Sequence, residues 1–232
     1  MDIDDLRGRD WLLLPGTLCT AEVFAGLLDA LGIPPGRRRP LPLIHPRVAD
    51  YGSALDAQAG GAVLCGFSLG AIVAAHHLDR ISPARTILFG VNPHPDDPAK
   101  AEGRRALEQD VLATGGAAAM LPRLPPLGGP DPDKARATIL AMAEQTAAQI
   151  TAHTELALSR PGALPALSRS RAPVLVLTGT EDQMTPVALG RTAAEAAPSG
   201  RFVGLPSLGH YALLEDPVAC ATALLDLEAA AP

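Results

Sequence analysis

Short apolar runs alternate with amphipathic stretches along the first part of the chain. Trp11–Leu14 is an apolar run that ends at Pro15 and Gly16, a pattern that predicts a strand entering a turn. Residues 62–65 and 86–89 are predicted strands of the same kind. Residues 41–44 are predicted as an edge strand, because a proline lies within them. A helical apolar face follows the first strand and consists of Val23, Phe24, Leu27, Leu28 and Leu31.

The middle of the chain, residues 92–170, has a different pattern. Many prolines separate alanine-rich stretches there, and residues 99–114 and 133–158 have the spacing of helices. No strand pattern occurs. We interpret residues 92–170 as a helical cap inserted into one domain, with residues 1–91 and 171–232 as the two parts of its core.

Strand and helix patterns alternate again after the predicted cap. Residues 173–178 predict a buried strand and residues 185–197 a helix. Residues 201–205 then predict a last strand, and residues 216–227 a last helix. Six strands with helices between them favour the α/β class: a mostly parallel, six-stranded open sheet with helices on both faces.

Composition and charge exclude several classes of protein. The 232 residues include 19 basic and 25 acidic side chains, a net charge of −6, so no nucleic-acid partner is expected. Residues 62–75 are the longest mainly apolar stretch, which falls short of the roughly 18 residues of a membrane span. The chain starts with acidic residues and has three cysteines without CxxC spacing. We therefore expect a cytoplasmic protein without membrane association, disulfides or a metal site.

The sharpest motif is Gly66-Phe67-Ser68-Leu69-Gly70, which fits G-x-S-x-G between a predicted strand and a predicted helix. Small residues two positions before and two positions after Ser68 let the strand and the helix approach closely. The hydroxyl is thereby lifted clear of the sheet, beside a helix N-terminus that favours developing negative charge. The motif alone also fits a tight turn, but its position between strand and helix favours a nucleophilic serine.

A nucleophilic serine needs a base and an acid that orients the base. His210 follows the last predicted strand, and Asp182 follows the strand before it. The carboxyl ends of parallel strands meet at one edge of a sheet, so these side chains can converge with Ser68. For the acid, Glu181, Asp96 and Asp97 remain alternatives. The other histidines are interpreted as surface or core residues.

Backbone amides are expected to stabilise the oxyanion. The amide of Leu69, directly after the nucleophile, supplies one donor, and the turn after the first strand supplies the other. Thr17 is the first choice for that second donor and Leu18 the second, while an ordinary turn is the alternative. The predicted substrate-binding residues are Phe67, Met120, Leu121 and Leu124. Residues 117–127 fit a pocket lining or a capping loop.

These four motifs together resemble the α/β-hydrolase superfamily, in particular its compact bacterial members with a helical cap. Residues 14–18 resemble the oxyanion loop, residues 66–70 the nucleophile elbow, residues 179–182 the acid loop and residues 209–210 the base loop. Residues 16–24 are also similar to the corresponding segment of the carboxylesterases that cleave the methyl ester of pimeloyl carrier protein. Pro15 and Phe67 depart from the histidines usual in that family, which implies a reshaped pocket floor.

The resemblance implies a serine hydrolase that cleaves carboxylic esters or thioesters through an acyl-enzyme on Ser68. No cofactor is expected, and the substrate is a small ester or acyl thioester, free or carrier-bound. Relatives with the same triad open lactones, cleave carbon–carbon bonds or close rings in secondary metabolism, so those reactions remain open. A non-catalytic binding protein with this fold is the third hypothesis.

Overall fold

Four buried strands and two more exposed edge strands form a single sheet. The computed structural model describes residues 3–229; residues 1–2 and 230–232, at the outer ends of the two predicted core segments, lie outside the described residues. The strands are β1 (Trp11–Leu14), β2 (Arg38–Pro40), β3 (Val63–Phe67), β4 (Arg85–Phe89), β5 (Val174–Gly179) and β6 (Gly200–Leu205). Their order is β2-β1-β3-β4-β5-β6, and every neighbouring pair is parallel. The predicted open α/β sheet is confirmed.

The edge strand begins earlier than predicted. Arg38 pairs with Trp11 and Pro40 with Leu13, whereas residues 41–44 form no strand. The N–H of Leu41 donates one more hydrogen bond to the Leu13 carbonyl (2.9 Å). The next donor in this parallel register would be the N–H of residue 15 after β1, but residue 15 is a proline and has none. The prediction at residues 41–44 is therefore wrong, since the true edge strand carries arginines and no apolar run.

Helices cover both faces of the sheet. Those within the described residues are α1 (Ile3–Gly8), α2 (Ala25–Ala30), α3 (Gly52–Gln58), α4 (Leu69–His76), α5 (Ala101–Thr114), α6 (Gly116–Met120), α7 (Pro132–Gln145), α8 (Ile150–Ser159), α9 (Leu164–Leu167), α10 (Val187–Ala196), α11 (Ala212–Glu215) and α12 (Pro217–Ala229). Leu12 and Leu64 pack with α3, α4 and α10 on one face. Leu13 and Cys65 point the other way and pack with α2 and α12. This alternation follows from the two-residue period of a strand.

The chain between β4 and β5 contains helices and no strand among its described residues. The predicted helix at 99–114 corresponds to α5. The predicted helix at 133–158 is two helices, α7 and α8, because α7 ends at Gln145 and Thr146 caps it. The N–H and the hydroxyl of Thr146 both donate to the Met142 carbonyl, at 3.0 and 2.8 Å, and the chain turns there. The limits of the cap at residues 92 and 170 stay a prediction.

The described residues contain neither a membrane-spanning helix nor a cluster of metal-ligating side chains. No helix within residues 3–229 has both the length and the apolar character to cross a membrane. Across the same residues, no group of three or more His, Cys, Asp and Glu side chains is arranged to hold a metal ion. Cys19, Cys65 and Cys220 are buried and unpaired, as expected of small core residues.

Candidate active site

Ser68 lies on a strained turn between β3 and α4. Its φ of 50° and ψ of −117° place it in a region that residues other than glycine rarely adopt. A Cβ atom at Gly66 would lie 2.6 Å from Ala71 Cα, and one at Gly70 would lie 2.1 Å from the Leu14 carbonyl oxygen. Both glycines are therefore required by the close approach of strand, helix and neighbouring turn. The turn presents the Ser68 hydroxyl at the carboxyl edge of the sheet.

The imidazole of His210 joins Ser68 to Asp182. His210 Nε2 lies 3.1 Å from Ser68 Oγ, and His210 Nδ1 lies 2.8 Å from Asp182 Oδ2. With the proton on Nδ1, the ring donates to the carboxylate and Nε2 accepts from the serine hydroxyl. His210 follows β6 and Asp182 follows β5. The structure thus brings these three predicted residues into one hydrogen-bonded chain.

Asp182 is held as a carboxylate by several donors. Thr185 donates to it through its hydroxyl (2.6 Å) and its amide (2.8 Å), and Met184 through its amide (2.9 Å). Burial raises the pKa of Asp182, but the hydrogen bonds from His210 and Thr185 outweigh it and leave the pKa below the usual value. The acid is therefore ionised at neutral pH, although it is almost completely buried.

The three alternative acids have other partners. Glu181 lies 3.5 Å from the Thr180 hydroxyl, and Asp97 accepts from the amide of Ala99. Asp96 forms ion pairs with two arginines. Among the residues that the structure describes, Asp182 is the carboxylate that reaches His210.

The turn after β1 lies directly against Ser68. A Cβ atom at Gly16 would be 3.1 Å from Ser68 Cβ. Within this turn, Leu18 has a φ of 54° and its amide donates to Nδ1 of the buried His153 (3.3 Å). No described residue accepts a hydrogen bond from the amide of Thr17. Of the two predicted donors on this turn, the geometry therefore favours Thr17, with Leu69 at the start of α4 as its partner.

A cavity of about 120 Å³ opens onto Ser68. Of the predicted binding residues, Phe67 and Met120 line this cavity, and the Phe67 ring lies 5.1 Å from that of His210. Leu121 is half exposed on a short 3-10 turn, and Leu124 packs at the margin of the apolar core. Neither of these leucines lines the cavity. Three cations that the sequence analysis did not single out for the site also line it: Lys100, Arg104 and Arg160.

The order of these elements matches a known family. Residues 6–223 match the model of the alpha/beta hydrolase family. The chain belongs to that family. The match includes most of both predicted core segments and everything between them.

Solved structures similar to this α/β hydrolase include an esterase from Thermogutta terrifontis with malate bound. It has a TM-score of 0.74 and 23% identity, over 96% of this chain and 90% of that one. The enol-lactonase from Burkholderia xenovorans LB400 has a TM-score of 0.71 and 21% identity, over 95% and 92%. At these identities, the likeness shows a shared fold.

One short segment of the chain is similar in sequence to a curated protein. Over 62 residues, this hydrolase is 45% identical to a protein named as a non-heme bromoperoxidase, BpoC, from Mycobacterium tuberculosis. The match covers 27% of this chain and 24% of the relative. It therefore spans about a quarter of the curated protein.

Besides the three cations, Thr185 and His153 contact the site in ways that the sequence analysis does not predict. The sequence predicts Thr185 at a helix start, and in the structure its hydroxyl donates to Asp182. His153 is buried, which agrees with one of its two predicted positions, and it also accepts a hydrogen bond from the amide of Leu18 in the turn beside Ser68. A Thr three residues after an Asp is a local signal for the first contact. No local signal exists for the second, since His153 and Leu18 are 135 residues apart.

Proposed function

We propose that this α/β hydrolase cleaves carboxylic esters or thioesters through an acyl-enzyme on Ser68. The observation that carries the proposal is the continuous hydrogen-bonded chain from Asp182 through His210 to Ser68 Oγ. A serine hydroxyl that only packs in a core needs neither a buried base nor an ionised acid behind that base. The substrate is a small ester or acyl thioester, free or carrier-bound.

In the first half-reaction, Ser68 Oγ attacks the carbonyl carbon while His210 Nε2 takes the hydroxyl proton. The imidazolium that forms is stabilised by the Asp182 carboxylate. The amides of Thr17 and Leu69 donate to the oxyanion of the tetrahedral intermediate. His210 then protonates the leaving alkoxide or thiolate, the bond to that group breaks, and the acyl group stays on Ser68.

In the second half-reaction, water enters in place of the leaving group. His210 takes one proton from the water as its oxygen attacks the acyl carbon. A second oxyanion forms and collapses, the bond to Ser68 Oγ breaks, and the serine recovers its proton from His210. A lactone is an internal ester, so the same steps would open it and leave both product groups on one molecule.

The test is the loss of the nucleophile. Ser68→Ala is expected to abolish hydrolysis of a short-chain nitrophenyl ester and labelling by a fluorophosphonate, with an unchanged far-UV circular dichroism spectrum. Ser53→Ala, on the exposed side of α3, is the matched control and should retain both. Hydrolysis by Ser68→Ala at the wild-type rate would refute the acyl-enzyme. Absence of labelling in the folded wild-type protein would favour a binding role.

A further inference from the structure

The cavity beside Ser68 has an excess of positive charge. Its lining includes Lys100, Arg104 and Arg160 and contains no Asp or Glu. Lys100 and Arg104 lie at the start of α5, and Arg160 follows α8. All three therefore come from the chain between β4 and β5, opposite the loops that carry the catalytic chain.

One buried carboxylate, Asp96, stands behind the two arginines. Arg104 donates to both of its oxygens, at 2.7 and 2.6 Å, and Arg160 Nη1 lies 2.7 Å from Oδ1. The side chains of Asp96 and Arg160 are 5% and 3% exposed. Two guanidinium groups and one carboxylate leave a net charge of +1; the Arg104 side chain is 30% exposed, whereas that of Arg160 is buried. Such a charge is costly to bury without an anion beside it.

Both arginines keep donors that the protein does not use. Arg160 donates to the carbonyls of His94 (3.4 Å) and Ala157 (2.9 Å) as well as to Asp96. Within the described residues, no side chain or carbonyl accepts a hydrogen bond from Arg160 Nη2 or Arg104 Nη1. Because both side chains line the cavity, these amino groups are placed to bind an oxyanion there.

A purely structural role does not explain the second arginine. Arg105, the next residue on α5, already ties α5 to α8 through Glu155 (2.7 Å), and it also pairs with Glu108 (3.0 Å). Asp96 would be neutralised by one guanidinium. Burial and the neighbouring Arg104 both lower the pKa of Arg160 while Asp96 opposes them, which agrees with a cation that the protein compensates only in part.

We propose that the substrate of this hydrolase carries a second, compact oxyanion, a carboxylate or a phosphate, which Arg104 and Arg160 hold while Ser68 attacks the ester. Lys100, exposed at the edge of the cavity, attracts the anion towards it. The inference rests on the proposed ester hydrolysis and narrows its substrate class. A cavity of about 120 Å³ is small beside the roughly 300–1,000 Å³ of drug-sized sites, which favours a short acyl chain.

The decisive comparison uses two methyl esters of the same shape. One is monomethyl glutarate, and in the other an isopropyl group replaces the carboxylate. Wild-type enzyme is expected to prefer the anionic ester by roughly tenfold or more in kcat/KM, as charged hydrogen bonds confer. Arg104→Gln should lower this ratio by roughly tenfold. Arg105→Gln removes the same charge from the next position of α5 and should keep the wild-type ratio.

Equal kcat/KM for the two esters in the wild type, or an unchanged ratio in Arg104→Gln, would overturn the inference while leaving ester hydrolysis intact. If neither ester is hydrolysed and the fluorophosphonate does not label Ser68, the proposed function itself has failed. The two failures are therefore distinguishable.

Inhibition of the wild type avoids any question of variant folding. Glutarate and inorganic phosphate are each tested as competitive inhibitors of the neutral ester. Competition by glutarate alone assigns the subsite to a carboxylate, and competition by phosphate alone assigns it to a phosphate. Competition by both supports a general oxyanion site. Competition by neither overturns the proposal.

Discussion

His153 accepts a hydrogen bond from the backbone amide of Leu18, at 3.3 Å from its Nδ1. Both residues are buried. Leu18 has a positive φ of 54°, so a contact made by a distant helix holds the turn beside Ser68 in a conformation that leucine rarely adopts. With the Leu18 amide engaged by His153, the amide of Thr17 is the donor that this turn has left for the oxyanion.

Replacement of His153 should therefore damage catalysis through the turn. His153→Ala leaves the Leu18 amide buried without an acceptor, and we expect kcat to fall roughly tenfold, with a smaller change in KM, and stability to fall by about 1–3 kcal/mol. Hydrogen exchange at the Leu18 amide should accelerate. His153→Asn, whose side-chain oxygen can accept, should recover part of kcat. A variant without His153 that keeps kcat would contradict the positioning role.

The hydroxyl of Thr185 is expected to support Asp182 in its contact with His210. Thr185→Val keeps the shape of the side chain but removes the 2.6 Å hydrogen bond to Asp182 Oδ2. We expect kcat/KM for a nitrophenyl ester to fall roughly tenfold, because a hydrogen bond to a charged group is lost from the support of His210. Thr192→Val, on α10 outside the site, is the matched control. Equal losses in the two variants would point to a general effect on folding.

Stability should decrease in mild acid. Burial lowers the pKa of both His153 and His76 to about 4, from an ordinary value of 6.5. Between these values the unfolded chain binds more protons than the folded protein, so the free energy of unfolding falls as the pH drops from about 6.5 towards 4. The nearly inaccessible His153 alone contributes on the order of 3 kcal/mol over this range.

Urea unfolding at several pH values measures this dependence. His153→Phe is expected to weaken it, whereas replacement of the exposed His45 by Gln should leave it as in the wild type. A free energy of unfolding that stays constant between pH 6.5 and 4 would contradict the buried, neutral state of these histidines.

The sequence was sufficient for those parts of the fold that produce a local pattern. Buried parallel strands such as Val174–Gly179 are continuous apolar runs, so their positions could be predicted. The edge strand Arg38–Pro40 has no such run, because one of its sides and much of its surface face solvent. Its place is set by backbone pairing with β1, which periodicity does not detect.

In the candidate site, too, residues in local motifs could be predicted, whereas contacts between distant segments could not. Ser68, Asp182 and His210 could be predicted because each lies in a short motif at the end of a predicted strand. The contacts of His153 with Leu18 and of Arg160 with Asp96 join segments far apart in the chain. They depend on how α5 and α8 pack against the sheet, and single-sequence patterns carry no information on that packing.

Glu215 holds the loop that carries His210. Its carboxylate Oε2 accepts from the amides of Gly209 and Gly128, both at 2.8 Å. Glu215 is buried, so it links the residue before His210 to the chain between β4 and β5. Glu215→Leu would leave both amides without an acceptor, and we expect a loss of about 2–4 kcal/mol in stability. We also expect a lower kcat, as the His210 ring loses its alignment with Ser68.

Glu215→Gln separates these two effects, because it retains one oxygen that can accept from both amides. It should recover most of the stability in urea unfolding and most of kcat. Glu195→Leu, at an exposed position of α10, controls for the loss of a carboxylate. If Glu215→Leu were as active and as stable as that control, the alignment of His210 would have to come from its ring contacts with Phe67 and Tyr211, at 5.1 and 5.4 Å between centroids.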